Sequence, residues 1–546
     1  MNGAQALIKV LEDRGVEIIF GYPGGAVLPL YDELLHSKIK HVLTRGEQSA
    51  AHAACGYARS TGKVGVCIAT SGPGATNLIT GIANAYLDST PLIAITGQVA
   101  TELIGHDVFQ EVDIVGATTP FTKQNYLIKD TADIPGIVNE AFYLASTGRK
   151  GPILIDLPVD IQRNTAHFEF NPVDRLRSYK PNIDPNARQL KRLEEAIRKS
   201  AKPLLCVGGG CMLSDVSDKI IALSKKLNAP FVTTLVGIGS VPTNHENCLG
   251  MIGQTGLNLA NTAVEAADLI IVLGARLGDR ATGKSNTFAQ KAKIVHIDID
   301  PAEIGKNHDT YIPIVADLDI ALTKILEMDI EAKTSGLMED IQKWQDYPES
   351  TGACGTNGLD PKEIIECLSD KGDEHVILTT DVGQHQIWAG RFFRTKAPRS
   401  FITSGGLGTM AFSLPSAIGA KFGNPDKRVV TIVGDGGFQM CLNELATMKQ
   451  EKLKIGIALF NNNCLGMVRE LQQFFCGGRY SQVHFEFEPD FSLVAAAYGI
   501  EHLKVDNRND IAAAVQSLLN PEKLVIVEFT IDPCANVKTI KSGEQS

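Results

Sequence analysis

The stretch VTIVGDGGFQMCLNELATMKQEKLKIGIALFNNNCLGMV puts Asp435 at the end of one apolar run and Asn462 at the end of the next, 27 residues later. That interval holds one helix and one strand of a βαβ unit, so both side chains emerge at the same sheet edge. Gly434, Gly436 and Gly437 let backbone approach an anion closely, and a helix beginning near Phe438 would offer it N–H groups. Magnesium takes near-octahedral oxygen coordination, commonly one or two protein carboxylates or amides together with substrate phosphates. Asp435, the Asn462 amide oxygen, a nearby backbone carbonyl and two diphosphate oxygens would nearly complete such a shell. An aspartate in a turn and an asparagine pair after a strand are each common alone. Their pairing at this spacing is the specific signal.

A second carboxylate stands out in VLTRGEQSAAHAACGYARSTG (42–62), where Glu47 sits between an apolar run and a helix of small residues. Ala50, Ala51, Ala53, Ala54, Ala58 and Gly56 let that helix lie close against its neighbours. At a helix start a glutamate is favoured by the dipole by about 0.3–1 kcal/mol, so capping alone explains it. A carboxyl packed among alanines is also poorly solvated, which suits it to sharing a proton. Both readings stand at this point.

The elements that would position these residues recur along the chain. KVGVCIAT, SGPG, the helical ATNLITGIANAYLD and PLIAITG form a strand, glycine turn, helix and strand. KPLLCVGGG, the helical stretch 214–227 and PFVTT repeat that order, as do RVVTIV, GDGG, FQMCLNELATMKQ and IGIALFNNN. The pattern predicts an α/β protein of three domains, each a mostly parallel sheet flanked by helices. Connections are expected at 168–189 and 328–361, giving domains over 1–167, 190–327 and 360–535. Internal duplication and mere recurrence of a common architecture both explain the likeness. In open parallel sheets ligands sit beyond the carboxyl ends of the strands, where these glycine turns lie.

Composition narrows the class. The chain has 546 residues, 44% hydrophobic and 21% charged, as in ordinary globular proteins. A net charge of −10 with no basic stripe argues against nucleic-acid binding. Eleven scattered cysteines form no C-x-x-C pair, so buried free thiols in a reducing cytoplasm are expected. The first 21 residues read as an amphipathic helix and a strand rather than a targeting peptide, and no apolar run is long enough for a membrane span.

The ordered motifs FGYPGGAVLPLYDEL, GYAR, ATSGPGATNLITGIANAYLDSTPLIAITGQV, FQEVDI, GPILIDLP, DVGQHQIWA, SGGLGTMAFSLPSAIGA and GDGGFQM…NN…GMV resemble the acetolactate (acetohydroxyacid) synthase catalytic subunits, a thiamin-diphosphate family, over nearly the whole length. The resemblance implies the thiamin-diphosphate-binding fold, thiamin diphosphate and Mg2+ as cofactors, and a reaction that decarboxylates pyruvate. The remaining hydroxyethyl unit joins a second 2-ketoacid, pyruvate or 2-ketobutyrate, in branched-chain amino-acid synthesis. A pyruvate oxidase, a carboligase with another acceptor and a non-catalytic homologue are the alternatives. Glu47 matches the glutamate that hydrogen-bonds the aminopyrimidine ring. Gly25, Phe109 and Gln110 match residues near the reacting carbon; His106 is not among them. Val382, Gly383, Gln384 and His385 match the diphosphate loop, with Gly434, Asp435, Gly436, Gly437, Asn462, Gly466 and Met467 beside it. Gly408 and Met410 match residues cradling the pyrimidine, and Met440 the wedge that bends the cofactor. Asp435, Asn462 and Cys464 match the metal ligands, Cys464 through its carbonyl because Mg2+ disfavours thiolate.

GGG at 208–210 is not a G-x-G-x-x-G nicotinamide fingerprint. Arg149, Gly208, Gly209, Arg276, Asp298 and Asp317 instead resemble the family's FAD site, although Ile252 stands where a histidine is usual and Gly278 replaces an acid. Two further departures lie near the expected substrate channel: Val159 replaces a lysine and Leu471 a tryptophan that favours 2-ketobutyrate. Family likeness further implies a homodimer or tetramer in which Glu47 and Asp435 of different copies share a site, and a small regulatory subunit.

Overall fold

A computed structural model describes residues 1–283, 288–330, 336–344, 349, 351 and 358–537. Its strands form three six-stranded sheets. The first holds β1 (Ile18–Gly21), β2 (Lys40–Leu43), β3 (Gly65–Ala69), β4 (Leu92–Gln98), β5 (Gln124–Leu127) and β6 (Pro152–Pro158) in the order β2-β1-β3-β4-β6-β5, all parallel. The second holds β7 (Pro203–Val207), β8 (Phe231–Thr233), β9 (Cys248–Met251), β10 (Leu269–Leu273), β11 (Lys293–Asp298) and β12 (Ile312–Val315), ordered β12-β11-β10-β7-β8-β9. The third holds β13 (Val376–Thr380), β14 (Phe401–Ile402), β15 (Arg428–Gly434), β16 (Ile455–Asn461), β17 (Glu501–Val505) and β18 (Val525–Thr530), ordered β14-β13-β15-β16-β18-β17.

The three repeats are therefore not equivalent. The first and third sheets share one strand order, whereas the middle sheet has the order of dinucleotide-binding folds. The order reverses direction between β1 and β3 in the first sheet, between β7 and β10 in the second, and between β13 and β15 in the third. These crevices are where an open α/β sheet binds ligands.

Strands buried on both faces read as continuous apolar runs. In the middle sheet Leu205, Val207, Leu269, Ile271 and Leu273 pack into one core, while Leu204, Cys206, Ile270 and Val272 pack into the core on the opposite face. The expected connection at 328–361 contains a helix, Gly336–Trp344, whose Leu337 and Ile341 join that second core. Its i, i+4 apolar pair is masked in the sequence by surrounding charge. Positions 331–335, 345–348, 350 and 352–357 of that connection lie outside the described residues. The other connection carries no regular element before the helix Ala187–Lys199. It is held to the first sheet's core by Phe168, Phe170, Leu176 and Tyr179. The Tyr179 hydroxyl donates to the Thr147 carbonyl at 2.7 Å.

The chain condenses into two compact units. One comprises residues 1–181, 404–429 and 438–455; the other comprises 182–403, 430–437 and the described residues from 456 onward. None of the ten described cysteines is in a disulfide; seven of them are buried and Cys534 is exposed. Among the described residues no helix is long and apolar enough to cross a membrane.

Candidate active site

In the second unit the crevice between β13 and β15 gathers the diphosphate-loop and metal residues. Asp435 is 2% exposed and opens the helix Asp435–Cys441, so the helix starts three residues before the Phe438 expected from the sequence. Gly437 belongs to that helix because of a close approach rather than a turn. A Cβ there would lie 3.0 Å from Oδ1 of the buried Asp381. The Asp435 Oδ1 accepts from Gly436 N at 2.7 Å and its Oδ2 from Cys464 N at 3.2 Å. This ties the end of β15 to the loop after β16. Burial pushes the Asp435 carboxyl up to about 7, with the Glu488 charge adding to it. Burial likewise pushes the Cys464 thiol up to about 11, so the sulfur stays protonated at neutral pH. A carboxylate, an amide oxygen and a carbonyl fit Mg2+; a neutral thiol does not.

His385 lies in the helix Gln384–Phe392, its ring against two glycine backbones. A Cβ on Gly383 would sit 2.7 Å, and one on Gly434 3.0 Å, from its Cε1. Burial drives the imidazole down to about 3, so it is neutral, and its Nε2 is buried with no hydrogen-bond partner. Facing a diphosphate, whose oxygens only accept, that unmet nitrogen would have to take up a proton and donate. Next to it, Gln384 Oε1 accepts from Asn462 Nδ2 at 3.4 Å. A Cβ on Gly466 would lie 2.0 Å from that oxygen. Val382 donates its N–H to Asp381 Oδ1 at 2.7 Å, and Met467 packs against the third sheet's core.

In the first unit Glu47 opens the helix Glu47–Thr61, whose N-cap Gly46 supplies no side-chain bond. Its carboxylate accepts from Asn77 Nδ2 at 3.0 Å. That helix is hemmed in by glycines on three sides. Cβ atoms on Gly81, Gly65 and Gly419 would lie 2.3 Å from Ala51 Cβ, 2.3 Å from Ala54 O and 1.8 Å from Ala53 O. Thr70, after β3, links the turns around Glu47. Its hydroxyl accepts from Ala26 N at 3.2 Å, and a Cβ on Gly74 would lie 2.8 Å from its methyl and 3.5 Å from Glu47 Oε1. Gly25 is exposed with open space around it, so no contact within the chain demands a glycine there.

A Cβ on Gly72 would meet Gln110 at 2.9 Å, so the structure brings Gln110 to the same crevice. Gln110 holds a positive φ of 60°, and the neighbouring Phe109 is 86% exposed. Glu111 closes this loop by accepting from Gly105 N and from Val108 N, the latter at 3.2 Å. The loop's far end is anchored by Gln98, whose Nε2 donates to the Val112 carbonyl at 2.9 Å and to Asp156 Oδ2 at 3.0 Å. Asp156 also accepts from Thr96 Oγ1 at 2.7 Å. Gly408, Met410 and Met440 belong to this unit as well; Met440 is 56% exposed. The loop bearing Gly408 is pinned where Asp88 accepts from Gly405 N and Gly406 N and Ser404 Oγ accepts from Thr409 N at 2.8 Å.

Three family models match the chain in order. They are the N-terminal thiamine pyrophosphate enzyme TPP-binding domain over residues 1–117, the central domain over 190–325 and the C-terminal TPP-binding domain over 381–529. The probable acetolactate synthase large subunit of Methanococcus aeolicus is 43% identical over 100% of this chain and 94% of its own length. The acetolactate synthase large subunit of Lactococcus lactis is 45% identical over 96% of this chain and 92% of its own. That of Corynebacterium glutamicum is 44% identical over 100% and 89%. The chain belongs to the acetolactate synthase large-subunit family.

In this family member the middle sheet's crevice has a floor of glycines. A Cβ on Gly208 would lie 2.2 Å from the Gly274 carbonyl, and one on Gly210 2.9 Å from Gly274 Cα. Two glycine turns thus lie back to back after β7 and β10, with Gly209 and Arg276 beside them. Asp298 ends β11, and Arg276 and Asp317 follow the carboxyl ends of β10 and β12, an arrangement that fits a dinucleotide. Asp298 and Asp317 also have local work: Asp298 accepts from Asp300 N at 2.9 Å, and Asp317 caps the helix Leu318–Leu326. Arg149 belongs to the other unit, where its Nε donates to Ser89 Oγ at 3.0 Å.

Several residues of these sites escaped the sequence reading. Asn77 and Thr70 give no signal of their own. Asp156 did give one, as an acid inside the apolar run GPILIDLP.

Proposed function

We propose that this chain catalyses acetolactate synthesis: pyruvate loses CO2, and the remaining two-carbon unit joins a second 2-ketoacid to give 2-acetolactate or 2-aceto-2-hydroxybutyrate. The observation that carries the reading is the cluster of Asp435, Asn462, Gln384 and neutral His385 at the crevice of the third sheet. It occurs in a chain alike over its whole length to acetolactate synthase large subunits. Thiamin diphosphate, when bound, supplies the nucleophilic carbon and the electron sink that let a 2-ketoacid lose CO2.

The chain's residues bind and orient. Asp435, Asn462 and the Cys464 carbonyl would hold Mg2+, and Gln384, His385, Val382 and the glycines at 383, 434, 436, 437 and 466 would seat the diphosphate. Glu47 would exchange a proton with the aminopyrimidine ring, its carboxylate held by Asn77. Met440 would wedge against the cofactor, with Gly408 and Met410 against its pyrimidine, while Gly25, Phe109 and Gln110 would lie near the reacting carbon. FAD would lie on the glycines after β7, served by Arg276, Asp298 and Asp317. The working unit in this reading is a cytoplasmic homodimer or tetramer, one copy supplying Glu47 and another Asp435, with a small regulatory subunit as a further partner.

The test is acetolactate formed from pyruvate by the purified chain with thiamin diphosphate, Mg2+ and FAD. Glu47→Gln should lower the rate about 10²- to 10⁴-fold, the usual worth of a general acid–base group. Decarboxylation without acetolactate would reject the proposed acceptor.

A further inference from the structure

The helix Gly466–Phe475 begins four residues after Asn462, and its i, i+4 stagger sets Glu470 one turn beyond Gly466. Glu470 is 3% exposed. Its Oε2 accepts from Gln384 Nε2 at 2.8 Å and from the Val537 backbone N–H at 2.8 Å. Gln384 Nε2 donates a second bond to the Ala535 carbonyl at 3.2 Å.

A carboxylate and a carbonyl can only accept, so the group facing them must be the NH2 end of the Gln384 amide. Its oxygen then points the other way and can only accept, which obliges Asn462 to present its NH2. With that NH2 committed, the Asn462 Oδ1 is the end left for a hard cation. Gly466 makes the arrangement possible. A Cβ there would lie 2.0 Å from Gln384 Oε1 and 2.8 Å from Asn462 Nδ2.

We propose that Glu470 is a positioning residue for the metal site: through Gln384 it fixes which end of the Asn462 amide faces Mg2+. This rests on the reading of Asn462 as a metal ligand. Glu470 touches neither metal nor substrate. It acts as an acceptor-only anchor at the end of a two-amide relay, the role that outer-shell partners play for metal ligands.

The experiment titrates magnesium chloride into the full chain at a fixed thiamin diphosphate concentration and follows tryptophan fluorescence. Glu470→Ala should raise the apparent Mg2+ dissociation constant at least about tenfold, the usual cost of an outer-shell partner. Glu470→Gln keeps an oxygen able to accept from Gln384 and Val537, and should stay within about threefold of wild type. Gly466→Ala should weaken Mg2+ without altering Glu470, and it decides the matter if Glu470→Ala does not fold. Asn462→Ala separates the two levels of argument. Wild-type Mg2+ affinity in that variant would overturn both the metal reading and the relay. A weakened Asn462→Ala beside an unchanged Glu470→Ala would overturn the relay alone, as would equal losses in Glu470→Ala and Glu470→Gln.

Discussion

Replacing Gly419 by alanine should damage the site of Glu47 without touching a reacting group. Gly419 lies in the helix Ser413–Gly423, which meets the helix Glu47–Thr61 backbone to backbone. An alanine Cβ there would be 1.8 Å from the Ala53 carbonyl oxygen. Carbon and oxygen settle at about 3.3 Å or more, so the helices must part by about 1.5 Å along that line. The partner glycine makes the same demand from the other side, since a Cβ on Gly56 would lie 2.1 Å from the Ser416 carbonyl. Overpacking of this kind costs about 1–3 kcal/mol, offset by about 0.5–1 kcal/mol that alanine gains over glycine in a helix. The net expectation is destabilisation of up to about 2.5 kcal/mol. The functional loss should be larger, because a shift of about 1 Å in a catalytic group can cost about 10²-fold in rate. Thermal unfolding and acetolactate formation would be measured together. Gly136→Ala serves as control: it is helical, has open space around its Cβ, and should be neutral or stabilising. A Gly419→Ala protein that melts at or above wild type with full activity would refute the steric argument.

Arg59 and Asp88 form a buried ion pair at 3.2 Å, and Asp88 also accepts the N–H groups of Gly405 and Gly406. Arg59→Ala strands that carboxylate and should cost about 3–5 kcal/mol in urea unfolding, and a loss under about 1 kcal/mol would refute it. Burial holds the Asp156 carboxyl up to about 7, with the Asp113 charge pushing the same way, against donors from Thr96 and Gln98. The folded state therefore binds the extra proton. Its stabilising contribution is complete below the ordinary aspartate range and is lost as pH rises towards 7, at about 1.4 kcal/mol per unit. Asp156→Asn should flatten the stability slope between pH 5 and 7, whatever constant offset the amide adds. Leu471 is 38% exposed on the helix Gly466–Phe475. Leu471→Trp should raise the preference for 2-ketobutyrate over pyruvate by about 1–3 kcal/mol in competition assays, and an unchanged product ratio would remove this position from the specificity account.

The GDGG and NN motifs were legible because their chemistry is local. Their spacing, one helix and one strand, fixes a shared sheet edge whatever the rest of the chain does. Helix ends were less legible. The helix expected near Phe438 starts at Asp435, and the stretch 75–88, expected as one helix, lies across two, Pro73–Asn77 and Ile79–Leu87. Glycines there resemble turn residues, but Gly437 is a glycine because Asp381 lies against it, and that neighbour comes from another strand end. The likeness among the three repeats was visible; that the middle sheet has a different strand order was not.

By itself the sequence determined the α/β class, the continuous apolar runs that bury both faces of the sheets, and the lack of disulfide spacing. Those follow from residue type and short-range periodicity. Tertiary structure alone decided which glycines allow close approach and which donor holds the Glu47 carboxylate, and it joined Glu470, Gln384 and Asn462 into one relay. The relay's bonds join residues 86 and 78 positions apart. The orientation of an amide depends on whether its neighbours donate or accept, and those neighbours exist only once distant segments have packed.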